Sequence, residues 1–114
     1  MTIKLNLPEG VIVEHCHTMT DVRRNIDALD QRIVALMAER SGYVAQAARI
    51  KQDANLVHDQ ARIDFIVARV SAMAAEQGAP AAVIEAAYRA MIDAFIEFER
   101  GEFQRLRAQP NQEC

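Results

Sequence analysis

The chain has 114 residues, of which 51% are apolar and 5% aromatic, and it contains no tryptophan. This is the length of one small domain, and an apolar content dominated by Ala, Ile, Val, Leu and Met is typical of helices packed on helices. The formal net charge is −3 and the arginines are scattered rather than clustered, which argues against a nucleic-acid partner or an anionic membrane.

The first 19 residues show no sustained apolar period, and we interpret residues 1–19 as an N-terminal extension. The apolar run at 11–13 could form a short strand, although a lone strand has no second strand to pair with. Neither a secretory signal nor an apolar run of roughly 18 residues is evident, so we expect a cytoplasmic protein that does not enter a membrane. Cys16 and Cys114 do not form a disulfide framework, which also favours a reducing compartment.

A long first helix is predicted to begin at Thr20, which is a suitable N-cap residue. Apolar residues then recur at helical spacing for about 30 residues without a proline. Gly42 is the one weak position, costing about 1 kcal/mol relative to Ala, and residues 52–55 are the expected exit. The apolar positions are Val22, Ile26, Leu29, Ile33, Leu36, Met37, Val44, Ala47 and Ala48.

Two further helices follow. The second is predicted to open near residues 58–59 and to end at Gly78, because glycine is the usual residue just after a helix C-terminus. Pro80 then fits the first turn of the third helix. We expect this third helix to fray into a polar tail from Arg107 onward.

The first helix is too long for a compact single chain. A helix of about 32 residues is about 48 Å long, whereas a compact monomer of this size has a radius of gyration of only about 13 Å. The two shorter helices cannot cover its apolar stripe along the full length. We therefore predict an all-α fold with three helices per chain in an intertwined homodimer. The helical domain is expected over residues 20–107, with a C-terminal tail over 108–114.

Three charged residues lie on the apolar faces of these helices. Arg40 and Lys51 each follow an apolar position of the first helix by four residues, which predicts that they share a buried face about 16 Å apart. Glu99 occupies an apolar position of the third helix. Because ionised groups are rarely buried unpaired, two interpretations are open. Either Glu99 forms a core ion pair with one cation, or the excess positive charge binds a small dianion.

Arg23 lies 17 residues before Arg40, which is about 25 Å along one helix, so the two cannot contact the same small ligand within one chain. In an antiparallel dimer, Arg23 could instead reach the pocket of the partner chain. The alternative interpretation is a solvated arginine at the start of a helix.

Taken together, these positions resemble the all-helical AroQ-type chorismate mutase family over about residues 21–104. The strings that carry the resemblance are Val22-Arg23-Arg24-Asn25-Ile26-Asp27-Ala28-Leu29-Asp30 followed by Ala38-Glu39-Arg40, then Arg49-Ile50-Lys51, and then Val57-His58-Asp59-Gln60-Ala61-Arg62. The resemblance implies that Arg40 and the partner's Arg23 bind the two substrate carboxylates. It also implies that Lys51 hydrogen-bonds the ether oxygen, that Asp59 contacts the ring hydroxyl region, and that Arg62 supports this corner.

The rearrangement of chorismate to prephenate is pericyclic, so no nucleophile, metal or cofactor is expected. The enzyme must hold the substrate folded, which suits two arginine forks, and must stabilise negative charge on the breaking ether oxygen. Glu99 stands where many members have Gln and can donate a hydrogen bond only when protonated. We therefore expect activity to fall as pH rises and Glu99 loses its proton. Replacing Glu99 with Gln should remove this fall of activity with rising pH.

Two candidate substrate-contacting residues depart from the family pattern. Ile63 stands where typical mutases carry a Glu, and Phe95 stands where some carry a small Ser. The isochorismate pyruvate lyases, which are relatives on the same fold, also have an aliphatic residue at the first position, although they typically keep Gln where Glu99 sits. We predict a chorismate mutase. The alternatives are a lyase making salicylate and pyruvate, an enzyme for an amino analogue of chorismate, or a non-catalytic helical dimer or ligand-binding module.

One further cluster has metal-ligand residue types, at Glu14-His15-Cys16-His17. Its members are immediate neighbours and lack the usual ligand spacing, so we interpret the cluster as accidental and expect no metal site.

Overall fold

The computed structural model describes residues 13–108, which form three α-helices and one short 3-10 helix. In chain order they are α1 (Met19–Ile50), the 3-10 turn (Ala54–Leu56), α2 (Gln60–Glu76) and α3 (Ala81–Ala108). The predicted all-α fold with three helices is confirmed for this part of the chain. Residues 1–12, which hold most of the predicted extension and of the possible strand, lie outside the described residues, as do residues 109–114 of the predicted tail.

The N-cap of α1 is Thr18, so the prediction that Thr20 caps this helix was wrong. The Thr18 hydroxyl oxygen accepts a hydrogen bond from the backbone N–H of Asp21 at 3.1 Å, and Thr18 itself has extended backbone angles. Both threonines satisfy the residue preference for an N-cap. Only the backbone conformation distinguishes them, and the sequence does not reveal it.

The long first helix is present with 32 residues and passes through Gly42 without a break. It ends at Ile50, and Lys51 is its C-cap residue, with an extended backbone (ψ 138°) and its N–H bonded to the carbonyl of Ala47 at 2.9 Å. The spacing predicted that Lys51 lies on the apolar stripe of this helix, and this was wrong, because Lys51 lies just beyond the helix end.

The connection between α2 and α3 is a glycine-terminated turn, as predicted. Gly78 adopts a φ of 69°, which only glycine adopts without cost, and the N–H of Ala79 reaches back to the carbonyl of Ala74 at 2.9 Å. Pro80 lies immediately before α3 rather than within its first turn, and its carbonyl accepts the first hydrogen bond of that helix.

The central helix is α3, which packs against both α1 and α2. The buried apolar residues of the described chain are Ala48, Val57, Val67, Val70, Ala74, Ile92 and Phe103. α3 ends at Ala108, one residue beyond the Arg107 at which fraying was predicted. The Arg107 guanidinium is bonded to backbone carbonyls at the end of α1.

The N-terminal half of α1 projects away from this core. The molecule measures 62 × 30 × 21 Å with a radius of gyration of 18.6 Å, against about 13 Å for a compact chain of this length. Within one chain, the stripe formed by Ile26, Leu29, Ile33 and Leu36 is between 49% and 63% exposed. No helix of residues 13–108 is long and apolar enough to cross a membrane.

Candidate active site

A cavity of about 250 Å³ lies between the C-terminal half of α1, the start of α2 and the middle of α3. Charged side chains of all three helices and their connections reach it, and the remainder of its wall is apolar. The lining residues are Arg40, Val44, Lys51, Val57, Asp59, Arg62, Ile63, Ile66, Ile92, Phe95, Ile96 and Glu99. The structure therefore brings together seven of the eight residues that the sequence suggested for a site, and the exception is Arg23.

An ion pair between Lys51 and Glu99 forms one wall of the cavity. The Lys51 Nζ donates to Glu99 Oε2 at 2.6 Å, and the Glu99 side chain is only 10% exposed. Charge assistance makes such a bond short and strong. The ion pair allowed by the sequence is thus present, but it does not exclude a ligand. An ammonium group carries three donors, and the pair with Glu99 uses one of them.

The Arg40 guanidinium lies over the ring of Phe95, with 4.8 Å between the guanidinium carbon and the ring centroid. Phe95 is in turn in edge contact with Phe98, at 6.1 Å between centroids. A cation over an aromatic face is attracted to the ring, while the edge of a guanidinium keeps its donors free for a carboxylate. Phe95 therefore orients Arg40 as well as lining the cavity, which its position in the sequence did not indicate.

The start of α2 forms the opposite corner of the cavity. Asp59 is the N-cap of α2, and its Oδ1 accepts a hydrogen bond from the backbone N–H of Arg62 at 3.0 Å. This contact engages one carboxylate oxygen and fixes the direction of the side chain. The Arg62 guanidinium lies 5.3 Å from the ring centroid of Phe65 at the exposed edge, and Ile63 is half-buried in the wall.

The charge of the lining favours an anion. Three cationic side chains and two carboxylates line the cavity, so the formal balance is one positive charge. The apolar part of the lining lowers the local dielectric, which strengthens electrostatic contacts within the cavity. A small anionic molecule with an apolar ring matches both properties.

Arg23 is exposed on the first turns of α1, where it lines a separate shallow groove with Thr20, Arg24 and Asp27. It lies about 25 Å along the helix from Arg40. The groove at Arg23 is larger, at about 500 Å³, but it is open and runs along a single helix. Of these two, the 250 Å³ cavity is the candidate site, because charged groups from three helices converge on it.

Some residues around the site were missed by the sequence reasoning. Val57 and Ile92 are buried in the wall. The four-residue spacing of Ile92 and Ile96 on one helix face could have indicated Ile92. Arg107 was assigned to a frayed tail, although it contacts the backbone of Lys51. No sequence pattern signals a contact between residues this far apart in the chain.

The N-terminal histidine and cysteine cluster shows no ligand geometry. The rings of His15 and His17 meet edge to face with centroids 4.9 Å apart. Across residues 13–108, no three side chains of His, Cys, Asp or Glu come together in an arrangement that could hold a metal ion.

Comparison with protein families gives a match to the family described as chorismate mutase type II, over residues 22–100. The matched segment comprises 79 of the 114 residues and contains all eight candidate site residues. It begins in the first turn of α1 and ends one residue after Glu99. A search of curated proteins found no significant match.

Proposed function

The chain belongs to the type II chorismate mutase family, and on this premise we propose that it rearranges chorismate to prephenate without a cofactor. Membership of this family supports chorismate mutase-type activity or that of a close relative on a small-molecule substrate. The observation that carries the specific proposal is the convergence of Arg40, Lys51 and Glu99 in one cavity with apolar walls.

The first task of the site is to hold the flexible substrate folded. In the proposed complex, Arg40 binds one carboxylate through the edge of its guanidinium, and the Phe95 ring beneath it limits the orientations it can adopt. Ile63 and the other apolar side chains pack on the substrate ring. Holding the two reacting ends close together lowers the entropic part of the activation barrier. The reaction is thereby accelerated without any covalent step by the enzyme.

The second task is to stabilise the negative charge that develops on the ether oxygen as the C–O bond breaks. Lys51 is the donor for this oxygen, because two of its N–H groups remain free beside the bond to Glu99. Removal of one such preorganised donor typically costs 10²–10³ in kcat. Glu99 holds the ammonium in place when ionised and donates a second hydrogen bond to the ether oxygen when protonated.

The second substrate carboxylate needs a further cation, because Arg40 and Lys51 are already engaged and Arg62 lies at the exposed edge beside Phe65. We propose that the partner subunit's Arg23 supplies it. For two antiparallel copies to bring Arg23 of one to Arg40 of the other, the two-fold axis must cross α1 midway, between residues 31 and 32. The exposed apolar stripe from Ile26 to Met37 is centred at the same point. The partner's Arg23 would raise the charge balance of the cavity to two positive charges, which matches a dianion.

The proposed activity is tested by incubating the protein separately with chorismate and isochorismate and identifying the products chromatographically. Prephenate from chorismate is the expected result, with Arg40→Ala as the control that should lose turnover while keeping its helical content. Salicylate and pyruvate from isochorismate, with little prephenate, would instead assign the lyase reaction. Ile63 keeps this second candidate open, because an aliphatic residue in the cavity wall is the feature shared with those lyases. If neither substrate is turned over, the enzymatic proposal fails.

The shared site is tested by mixing two inactive variants, Arg23→Ala and Arg40→Ala. In a mixed dimer, one of the two sites receives an intact Arg40 from one copy and an intact Arg23 from the other. Random exchange of subunits should therefore restore about a quarter of the wild-type activity. An inactive mixture that has demonstrably exchanged subunits would exclude the contribution of Arg23 across the dimer.

A further inference from the structure

We propose that Arg107 is a positioning residue for the site, because its guanidinium holds the backbone from which the Lys51 ammonium reaches the cavity. This inference rests on the proposed role of Lys51 at the ether oxygen. It assigns a function in the reaction to the last turn of α3, outside the segment matched by the family.

The Arg107 guanidinium makes several contacts with the end of α1. Nη1 donates to the carbonyl of Ala48 at 2.9 Å, and Nη2 donates to the carbonyls of Arg49, at 3.5 Å, and Lys51. Its carbon atom lies 3.5 Å from the centroid of the Phe103 ring, which is buried against Ala48. One face of the guanidinium thus packs on the Phe103 ring, and its N–H groups donate to backbone carbonyls at the end of α1.

These contacts meet a specific need of the α1 terminus. The last carbonyls of a helix have no partner within the helix and carry its partial negative charge, so a cation there is favourable. Arg107 satisfies two of them in α1, at Ala48 and Arg49, and then extends to Lys51 beyond the helix. It is both a C-terminal cap and a clamp on the residue that leaves the helix.

Lys51 is held at three points, and Arg107 supplies one of them. Its backbone N–H is bonded to Ala47, its ammonium to Glu99, and its carbonyl to Arg107. The extended backbone at Lys51 lies outside the helical ladder, so nothing regular fixes the direction of the peptide that follows. Without Arg107, the Lys51 backbone can rotate about the helix end and carry the ammonium with it.

The test compares Arg107→Met, which keeps an unbranched side chain but removes the guanidinium and its donors, with Arg105→Met as the matched control. Arg105 lies in the same last turn but bonds Glu102 of its own helix at 2.7 Å, which lowers the pKa of that carboxyl. We expect Arg107→Met to lower kcat by about tenfold to a hundredfold, since hydrogen bonds from a charged group are worth about 1.5–3 kcal/mol. KM should change far less, because Arg40 is untouched. Arg107→Lys should recover part of the loss.

A double-mutant cycle separates positioning from general stability. If Arg107 acts through Lys51, the Arg107→Met change should add no further loss of kcat in a Lys51→Met background. Losses that multiply, or a KM that rises as much as kcat falls, would overturn the inference.

A second readout does not depend on turnover. The chain has only two lysines, Lys4 and Lys51, so Lys4→Arg leaves a single lysine signal in a protein labelled with ¹³C-lysine. The ε-methylene resonance of Lys51 should shift towards that of free lysine in Arg107→Met and remain in place in Arg105→Met. An unmoved resonance in a folded Arg107→Met protein would overturn the inference. Absence of activity in the wild type would refute only the proposed function, and this shift would still report on the clamp.

Discussion

The two halves of α1 carry the same apolar period but have different surroundings. In the C-terminal half, Ala48 is fully buried against α3, and Arg40 is half-buried beside the cavity. In the N-terminal half, Leu29 is 49% and Ile33 51% exposed, although both lie on the same stripe. One helix is thus a core element at one end and an uncovered apolar surface at the other.

This difference separates two pieces of information that an apolar period contains. The period identifies the face of a helix that avoids water, because residues three and four apart lie on one side. It does not identify what covers that face. In the C-terminal half the cover is α3 of the same chain, and in the N-terminal half we propose that it is the same helix of a second copy.

The largest expected effect concerns the half of α1 that reaches the cavity. Arg40→Ala should lower kcat/KM for chorismate by about 10²–10³, because it removes a charged donor from the substrate carboxylate. The control is Arg49→Ala, an exposed position on the same helix. Steady-state kinetics and circular dichroism check the result. A lower melting temperature with turnover retained would show that Arg40 is structural and would contradict the proposed site.

The next effect concerns the exposed half. Ile33→Asp places a carboxylate in the centre of the stripe and should dissociate the proposed dimer, because burying an unpaired charge is costly. Light scattering coupled to size exclusion should then show the 12.8 kDa chain alone, with loss of activity. Ala35→Asp, on the opposite face of α1, is the control and should remain dimeric. Equal masses for wild type and Ile33→Asp would remove the second copy from the explanation.

A smaller effect concerns the charged residue that α3 contributes to the cavity. The Glu99 carboxylate that accepts from Lys51 has no proton to donate to the ether oxygen, whereas the amide of a Gln in its place can donate one. Glu99→Gln should therefore raise kcat in steady-state kinetics with chorismate. A kcat that falls in this variant would leave Glu99 with the orientation of Lys51 as its only role.

The smallest effect concerns two helical glycines, which test how much of the α1 surface a second copy covers. A Cβ added at Gly42 of α1 or at Gly101 of α3 would meet nothing within 4 Å in the single chain. Gly101→Ala should therefore raise the free energy of unfolding by about 0.5–1 kcal/mol, through the entropy of the unfolded chain. Gly42 lies away from the stripe, and its replacement should give a similar gain in a thermal melt. A loss at Gly42 alone would indicate that the second copy covers more of α1 than the stripe.

Much of the site could be predicted from sequence because its residues interrupt strong local patterns. Arg40 and Glu99 stand on apolar faces where a charge is costly, and this conflict is visible without a structure. Ile63 and Phe95 were found through the family resemblance rather than through a physical pattern. The contact of Phe95 with Arg40 and the clamp of Arg107 on Lys51 could not be found in either way. Both are contacts between helices far apart in sequence.

The sequence by itself determined the three helices, the great length of the first, and the charges of Arg40 and Glu99 on the apolar faces of the first and third. Each of these follows from local spacing, capping residues and the cost of burying charge. Tertiary structure decided that Lys51, just beyond the end of α1, lies beside Glu99 and that Arg107 is bonded to it. These outcomes depend on how α3 lies against α1, and local pattern does not contain that packing.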